Sequence, residues 1–323
     1  MLRILKLQRP TGLLASLAKK SEPGIFISLW QVVAAAYNGD VAYIEKPGIG
    51  RQLYRYVLRR AQLRGDDFFT VSMDHYAMLA ISAGLPVCYL CWSTPVAPVK
   101  KALFTFFVRR CRRIIVNDTI TRQVLVEDYG VKPDKVCFIR LGVDTEFFRP
   151  LPGFSTRKVI IPGSAFRDES IAETILRNTD YSIVRLANME HIARHYEGLQ
   201  SRYGNRVALY ANVRHGELPR IYSGAVACVL HTCKASEPAG LTCVVESMAC
   251  GLPVLTNNAK SGLDYIEAGK TGWVYGSSSD LVSILKESSL DELVGMRAKA
   301  REWAEKNISW DQLQTQYARA LKS

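Results

Sequence analysis

The segment between Ala225 and Thr256 most constrains how this chain can fold. The apolar run Ala225–Leu230 leads through a polar loop into a helical pattern that stops at Gly251-Leu252-Pro253, and Val254-Leu255-Thr256 follows as a second apolar run. Two short apolar runs on either side of a helix predict a strand–helix–strand unit of a parallel sheet. The loop then lies at the carboxyl end of a strand, and the helix N-terminus faces it.

This loop has the chemistry of an anion site with carboxylates beside it. Unpaired backbone N–H groups and the helix dipole both favour an anion at a helix N-terminus, here at Gly240-Leu241-Thr242. Glu237 and Glu246 flank that turn. Carboxylates do not suit an anion but accept hydrogen bonds from hydroxyls, such as those of a ribose or a hexose. Phosphate and hydroxyls together indicate a nucleotide sugar.

Strand-like and helical patterns alternate along the rest of the chain, which predicts an α/β fold with parallel sheets. The predicted strands are 2–7, 25–29, 41–45, 68–73, 87–92, 113–117, 136–141, 158–161, 182–186, 206–210, 225–230, 253–256 and 272–275. The predicted helices are 50–64, 75–83, 99–112, 121–129, 169–178, 190–202, 218–223, 243–250, 281–287 and most of 290–322.

A Pro- and Gly-rich break at Arg149–Gly153 predicts two doubly wound domains, residues 1–150 and 151–323. The length of 323 residues suits two domains. Ligands of such sheets bind at the carboxyl ends of the strands, so we expect a cleft between the domains. The last helix is free to pack back on the first domain.

Composition narrows the class of protein. A hydrophobic content of 48% and a charged content of 22% are globular values. No run approaches the roughly 18 apolar residues of a membrane span, and Met1–Lys20 lacks the apolar core of a signal peptide. The eight cysteines lie mostly in apolar runs, as expected for reduced thiols in the cytoplasm. Cys88 and Cys91 have no second pair, so we expect no metal site.

The positive charge is concentrated in the first half of the chain. Residues 1–150 carry a net charge of +10 out of +12. Two stretches, 50–64 and 100–113, combine arginine or lysine with aromatic residues, which suits an anionic membrane surface. The alternative is that both stretches are helices of the α/β fold, with apolar faces buried against the sheet and basic faces exposed to solvent. No zinc-finger or RRM signature is present, so nucleic acid is not the expected partner.

Four stretches, in order, resemble the large retaining nucleotide-sugar glycosyltransferase family of GT-B fold, which includes bacterial lipopolysaccharide and phospholipid glycosyltransferases and, distantly, glycogen synthases. They are Leu141–Pro150, His215–Tyr222, Gly240–Val254 and Gly262–Val274. The resemblance implies two Rossmann-like domains, with the acceptor bound by the first and the nucleotide sugar by the second. It further implies polysaccharide or lipopolysaccharide biosynthesis, with no metal and no cofactor.

The resemblance also assigns roles to individual residues. Glu237 would contact hydroxyls of the transferred sugar, and Glu246 would accept hydrogen bonds from the ribose. Backbone N–H groups around Gly240, Leu241 and Thr242 would hold the diphosphate. The alternative for Glu246 is a carboxylate that only decorates the first turn of its helix.

The chain departs from the family pattern around the phosphates. Glu237 and Glu246 enclose one residue more than usual, and Ser164 follows Gly163 where the family has arginine. Because a diphosphate still needs compensating charge, Arg167 is the expected phosphate ligand, with Lys234 or Lys260 in reserve.

In the first domain, the histidine that many relatives have after the strand 87–91 is missing. Asp74 and His75 follow another strand and could contact substrate instead, because strand ends of such sheets face the cleft. The alternative is that Asp74 caps the next helix and His75 lies in the first turn of that helix.

The sequence therefore predicts a retaining glycosyltransferase that moves a sugar, a hexose or a related one, from a nucleotide donor to a glycan or lipid-linked acceptor. The expected location is the cytoplasm or the cytoplasmic face of a membrane. Two alternatives stay open at this point: a nucleotide-sugar-binding protein with degraded catalysis, and a GT-B epimerase or phosphorylase.

Overall fold

The structure is a computed structural model that describes residues 2–5, 41–44, 67–70, 73, 75–153, 157–186, 190–211, 213–233 and 239–322. The predicted strand 25–29 and the predicted helix 50–64 lie outside the described residues. By contact, the described residues form two compact units. The first holds the residues up to Arg140 and those from Asp311 onward, and the second spans Leu141–Trp310. The predicted boundary at Pro150 falls inside the second unit.

Within residues 67–138 and again within 158–287, the described strands and helices alternate as the sequence predicts. The strands are β1 (Leu2–Leu5), β2 (Val41–Ile44), β3 (Asp67–Thr70), β4 (Val87–Cys91), β5 (Arg113–Val116), β6 (Val136–Phe138), β7 (Lys158–Pro162), β8 (Ser182–Leu186), β9 (Val207–Tyr210), β10 (Ala227–Leu230), β11 (Val254–Thr256) and β12 (Gly272–Val274). The helices are α1 (His75–Ser82), α2 (Pro98–Val108), α3 (Thr119–Glu127), α4 (Ser170–Asn178), α5 (Glu190–Tyr203), α6 (Leu218–Ser223), α7 (Leu241–Ala249), α8 (Ala259–Gly262), α9 (Ser278–Glu287), α10 (Leu290–Asn307) and α11 (Trp310–Lys322).

The first unit is built on one parallel sheet with the strand order β2-β1-β3-β4-β5-β6. Its described core packs helices α1, α2 and α3 on strands β4 and β5. Most of α11 also belongs to this unit: Tyr317 is fully buried, and Asn117 Nδ2 lies 3.4 Å from Tyr317 Oη. Helix α11 therefore packs into the core of the first unit.

The second unit has a parallel sheet with the strand order β12-β11-β10-β7-β8-β9. The first strand of this unit, β7, lies in the middle of the sheet. Strands β8 and β9 follow on one side of it, and strands β10, β11 and β12 lie on the other side. The strand order reverses between β7 and β10. A crevice opens at such a switch point because the two following loops leave in opposite directions.

The apolar strands predicted from the sequence form the core of this second unit. The side chains of Val229, Leu230 and Leu255 are fully buried. Burial of each such side chain stabilises the fold by roughly 1.5–3 kcal/mol relative to exposure. Strands buried on both faces have continuous apolar sequences, and these strands fix the positions of the loops after β7 and β10.

Helix α7 begins two residues earlier than its predicted start at Cys243, with Leu241 as its first residue. Gly240 precedes it with φ of 90° and ψ of 6°, a left-handed conformation that turns the chain directly into the helix. The first turn therefore contains Leu241 and Thr242, and Glu246 lies one turn further on.

Candidate functional site

The loop that follows β7 folds tightly around the side chain of Arg167. Gly163 begins the loop with φ of 79°, a conformation that favours glycine. A Cβ atom added at Gly163 would lie 2.7 Å from Arg167 Nη2. Glycine is needed here both for the backbone conformation and for the close approach of the guanidinium.

Arg167 is buried, and two backbone carbonyls orient its guanidinium. Its Nε donates to the Pro162 carbonyl at 2.9 Å, and its Nη1 donates to the Ala165 carbonyl at 3.0 Å. Its Nη2 points toward α7, 3.7 Å from Cys243 Sγ. Among the described residues no carboxylate pairs with Arg167. The guanidinium therefore keeps a positive charge that no described anion compensates.

The N-terminus of α7 lies directly against this guanidinium. A Cβ atom at Gly240 would be 2.8 Å from Arg167 Nη2. The first N–H groups of a helix have no carbonyl partner within the helix, and the helix dipole places partial positive charge there. A cation and a helix N-terminus side by side repel each other but jointly attract an anion, above all a phosphate. The structure thus brings Gly163, Arg167 and Gly240–Thr242 together as a candidate diphosphate site.

Glu246 lies in the second turn of α7 and is buried, with 6% of its surface exposed. The hydroxyl of Tyr222, from α6, donates to Glu246 Oε2 at 2.9 Å. Burial raises the pKa of the Glu246 carboxyl to about 7, and the Tyr222 hydrogen bond offsets part of that rise. The alternative of a carboxylate that only decorates the first turn of the helix is therefore wrong, because Glu246 lies in the second turn and is buried.

A second group of polar side chains, which the sequence did not point out, follows the same strand ends. His231, after β10, places Nε2 3.8 Å from Asp168 Oδ2, after β7. Its Nδ1 lies 3.0 Å from the hydroxyl of Tyr275, after β12. Hydrogen bonds from Ser170 hold the pKa of Asp168 below its usual value, and burial lowers the pKa of His231. At neutral pH an ionised carboxylate, Asp168, therefore follows Arg167 in the chain, and the neutral imidazole of His231 lies beside that carboxylate.

The signal for this group was present in the sequence, because His231 and Asp168 each closely follow a predicted strand. The sequence did not identify them as a group, because it does not show that the loops after β7 and β10 are in contact. The described chain makes that contact through its backbone: the Asp168 N–H donates to the His231 carbonyl at 3.1 Å, and Cys233 N–H donates to the Phe166 carbonyl at 2.9 Å.

The reserve cation Lys260 is also buried, in the short helix α8 that follows β11. The same helix holds the chain just before α7, because Ser261 Oγ donates to the Ala239 carbonyl at 2.8 Å. Four strand ends, those of β7, β10, β11 and β12, therefore supply the polar side chains at this edge of the sheet.

The fold of the whole chain is similar to that of solved glycosyltransferases. HepE from Anabaena, solved with UDP, is 17% identical with a TM-score of 0.75 and 99% of each chain covered. A glycosyltransferase from Rickettsia africae is 13% identical with a TM-score of 0.72, and the match covers 100% of this chain and 98% of that chain. Sucrose-phosphate synthase from Thermosynechococcus elongatus is 14% identical with a TM-score of 0.72, and the match covers 99% of this chain and 98% of that chain. This likeness confirms the predicted α/β fold with parallel sheets in two domains.

Sequence models of glycosyltransferase families match both halves of the chain. Residues 195–308 match the model of glycosyl transferases group 1, and residues 46–147 match that of glycosyltransferase family 4. Both models describe glycosyltransferases, and the fold of the chain matches that of GT-B glycosyltransferase structures. A search of curated proteins finds no matching sequence. The group 1 match includes Gly240–Thr242 and Glu246, whereas Gly163 and Arg167 lie between the two matched segments.

Some of the predicted site residues lie outside the described residues. Glu237, Lys234 and Asp74 are among them, and His75 is described only as the first residue of α1. Their predicted contacts with sugar, phosphate and acceptor stay predictions. Among the described residues, no helix has both the length and the apolar sequence that crossing a membrane requires.

Proposed function

We propose that this glycosyltransferase moves a sugar from a nucleoside diphosphate donor to a glycan or lipid-linked acceptor, with retention of configuration at the anomeric carbon. The observation that carries the proposal is the uncompensated Arg167 guanidinium against the N-terminus of α7. This pair of positive features suits the two phosphates of a nucleotide sugar, and the buried Glu246 lies on the same helix.

UDP is the first donor nucleotide to test. The structurally similar HepE was solved with UDP, with UDP and glucose, and with UDP-glucose. At 17% identity that likeness supports the fold, and the choice of UDP for this chain is part of the proposal.

In the proposed reaction, the bond between the sugar C1 and the diphosphate oxygen breaks while the acceptor oxygen bonds to C1 on the same face. The acceptor proton passes to the leaving phosphate. Arg167 and the first N–H groups of α7 stabilise the negative charge that develops on the departing diphosphate. Glu246 accepts hydrogen bonds from the ribose hydroxyls, and Glu237 is proposed to hold the sugar. No metal or cofactor takes part in this proposal.

We assign the acceptor to the first unit, where Asp74 and His75 follow β3. Both are proposed to contact the acceptor, with either group able to accept a hydrogen bond from its hydroxyl. A protein that retains only nucleotide-sugar binding, or an epimerase, would need none of this acceptor chemistry.

The donor site is tested by Arg167→Met. We expect the variant to keep its melting temperature within a few degrees and to bind UDP about a hundredfold more weakly, because a charge-assisted contact is worth roughly 1.5–3 kcal/mol. Isothermal titration calorimetry measures the affinity. The matched control is Arg177→Met, which removes an exposed guanidinium of α4 that pairs with Glu173.

Equal UDP affinity in the wild type and in Arg167→Met would contradict the diphosphate site. Product analysis with UDP-glucose then separates the functions. Glucose transferred to a glycan or lipid pool supports the transferase, epimerised sugar without any acceptor indicates an epimerase, and dependence on phosphate indicates a phosphorylase. Binding without any product indicates a protein with degraded catalysis.

The first unit, to which the acceptor is assigned, is further proposed to dock on an anionic membrane through helix α2. This docking would place the enzyme on the cytoplasmic face of that membrane. One face of α2 packs into the core through Phe104, Phe107 and Val108. The opposite face exposes apolar side chains at helical spacing, with Val99 82% and Leu103 and Phe106 each 49% exposed. Arg110 lies over the Phe106 ring at 3.6 Å. Exposed apolar side chains next to cations suit the interface of an anionic bilayer.

Sedimentation with phosphatidylcholine vesicles, with and without phosphatidylserine, tests this docking. We expect wild-type protein to bind only the anionic vesicles, and the variant Leu103→Ser/Phe106→Ser to lose most of that binding. Leu263→Ser is the matched control, because it removes an apolar side chain that is 61% exposed in the second unit. Unchanged binding by the double variant would rule out α2 as the docking surface.

A further inference from the structure

A second arginine, Arg185, supports the loop that contains Arg167 and has no part in the proposed reaction. Arg185, on β8, has no exposed surface. Its guanidinium makes two parallel hydrogen bonds to Glu169, from Nε to Oε2 at 2.9 Å and from Nη2 to Oε1 at 2.6 Å. This bidentate geometry is the strongest arrangement available to an arginine and a carboxylate. It fixes the guanidinium plane beneath the loop.

The remaining nitrogen of Arg185 contacts the backbone of the same loop. Nη1 lies 2.7 Å from the Gly163 carbonyl and 3.0 Å from the Ile161 carbonyl. It also lies 2.5 Å from the Leu186 carbonyl at the end of β8. The single guanidinium therefore joins the end of β7, the end of β8 and the start of α4.

The two arginines hold different carbonyls of one short segment. Arg185 takes the carbonyls of Ile161 and Gly163, and Arg167 takes that of Pro162 between them. The Pro162 carbonyl belongs to the peptide unit that joins Pro162 to Gly163, so a shift of the Gly163 backbone also moves the acceptor of the Arg167 Nε hydrogen bond. The position of Arg167 thus depends on Arg185.

We propose that Arg185 and Glu169 are positioning residues of the donor site: they hold the Gly163 backbone, and through it Arg167, in the geometry that binds the donor diphosphate. The inference rests on the proposed function, since it assigns the support of that same site. In this proposal Glu169 binds Arg185 and does not bind a ligand, although it lies in the loop next to the proposed diphosphate site.

Lysine cannot replace Arg185 in this role. An ammonium is a compact charge at the end of a flexible stem, whereas the planar guanidinium reaches Glu169 and the Gly163 carbonyl at once. Arg185→Lys therefore keeps a positive charge near Glu169 but releases the Gly163 carbonyl.

The second unit offers a matched control in Arg206, before β9. Its guanidinium also donates to three backbone carbonyls, those of Leu176 at 2.9 Å, Thr179 at 2.6 Å and Tyr181 at 2.8 Å. These carbonyls lie between the last turn of α4 and the start of β8. They are at the amino ends of the strands, whereas the donor site is at the carboxyl ends. Arg206→Lys therefore loosens a similar backbone contact without reaching Gly163.

The test compares UDP affinity by calorimetry with melting temperature for the wild type, Arg185→Lys and Arg206→Lys. We expect both variants to lose similar melting temperature, but only Arg185→Lys to bind UDP about tenfold more weakly. With UDP-glucose as substrate, the KM for the donor should rise in Arg185→Lys while kcat changes less. Glu169→Gln is the second variant, because it keeps Arg185 in place with a weaker partner, and it should weaken UDP binding by a smaller factor.

UDP affinity in Arg185→Lys and Glu169→Gln within twofold of wild type would overturn the inference while leaving the proposed donor site intact. An equal loss of UDP affinity in Arg206→Lys would also overturn it, since the effect would then be one of general stability. If wild-type protein binds neither UDP nor GDP, the proposed function fails and this inference fails with it.

Discussion

Two glutamates at the same edge of the second sheet are held in opposite ways. Glu169, in the loop after β7, forms a bidentate pair with the guanidinium of Arg185, with the closer contact at 2.6 Å. Glu246, on α7 after β10, has the Tyr222 hydroxyl at 2.9 Å, and among the described residues no cation pairs with it. One carboxylate has its charge compensated within the protein, and the other does not.

The difference indicates what each carboxylate does. A compensated carboxylate such as Glu169 has little left to offer a ligand, and its contacts fix the loop in which it lies. An uncompensated, buried carboxylate destabilises the fold when it is ionised. Buried charged side chains without a compensating partner in the protein are expected at functional sites, where a bound ligand can interact with them. Ribose hydroxyls would supply that partner for Glu246.

The largest expected effect comes from breaking the compensated pair. Arg185→Met should lower the free energy of unfolding by about 3 kcal/mol, because it leaves Glu169 without its cation in a largely buried position. Urea unfolding measures the change. The double variant Arg185→Met/Glu169→Gln should recover part of the loss, since no charge is then left unpaired. A loss below about 1 kcal/mol in the single variant would show that the pair does not stabilise this loop.

The next effect concerns the uncompensated carboxylate and depends on pH. Burial raises the pKa of Glu246 from 4.5 to about 7, so the folded state binds a proton that the unfolded state has lost between those values. The contribution of Glu246 to stability is therefore greatest below pH 4.5 and falls as the pH rises to about 7. Glu246→Gln removes this dependence.

Relative to wild type, Glu246→Gln should accordingly gain up to about 3 kcal/mol of stability between the two pKa values, and no more above them. Urea unfolding at a series of pH values measures the gain. The same variant should bind UDP more weakly at pH 8, because an amide accepts hydroxyl hydrogen bonds less strongly than a carboxylate. A stability difference that stays constant with pH would contradict the raised pKa.

Much of this architecture could be predicted from the sequence. Apolar runs such as 227–230 and 254–256 have the length and composition of buried parallel strands, and the turn at Gly240 has the residue that a left-handed conformation favours. The helix start was misplaced at Cys243 because the apolar pattern alone does not show where the backbone turns. Local patterns specify elements well and their ends less well.

The contacts between loops could not be predicted in the same way. Arg185 lies in the middle of an apolar strand sequence, and nothing near it in the chain identifies Glu169 as its partner. His231 and Asp168 are likewise far apart in the sequence and meet only because β7 and β10 are neighbours in the sheet. Such pairs depend on strand order, which the sequence of a single chain leaves open.

The sequence by itself determined the α/β class and the position of the Gly240 turn, because strand periodicity and glycine conformation act over a few residues. Its resemblance to nucleotide-sugar glycosyltransferases, together with the charge of a diphosphate, predicted Arg167 as the candidate cation. The tertiary structure alone decided that Arg167 lies against the α7 N-terminus, that Arg185 and Glu169 support its loop, and that Glu246 is buried without a described cation. Charge compensation and burial depend on distances between segments remote in the chain, and only the assembled sheet sets those distances.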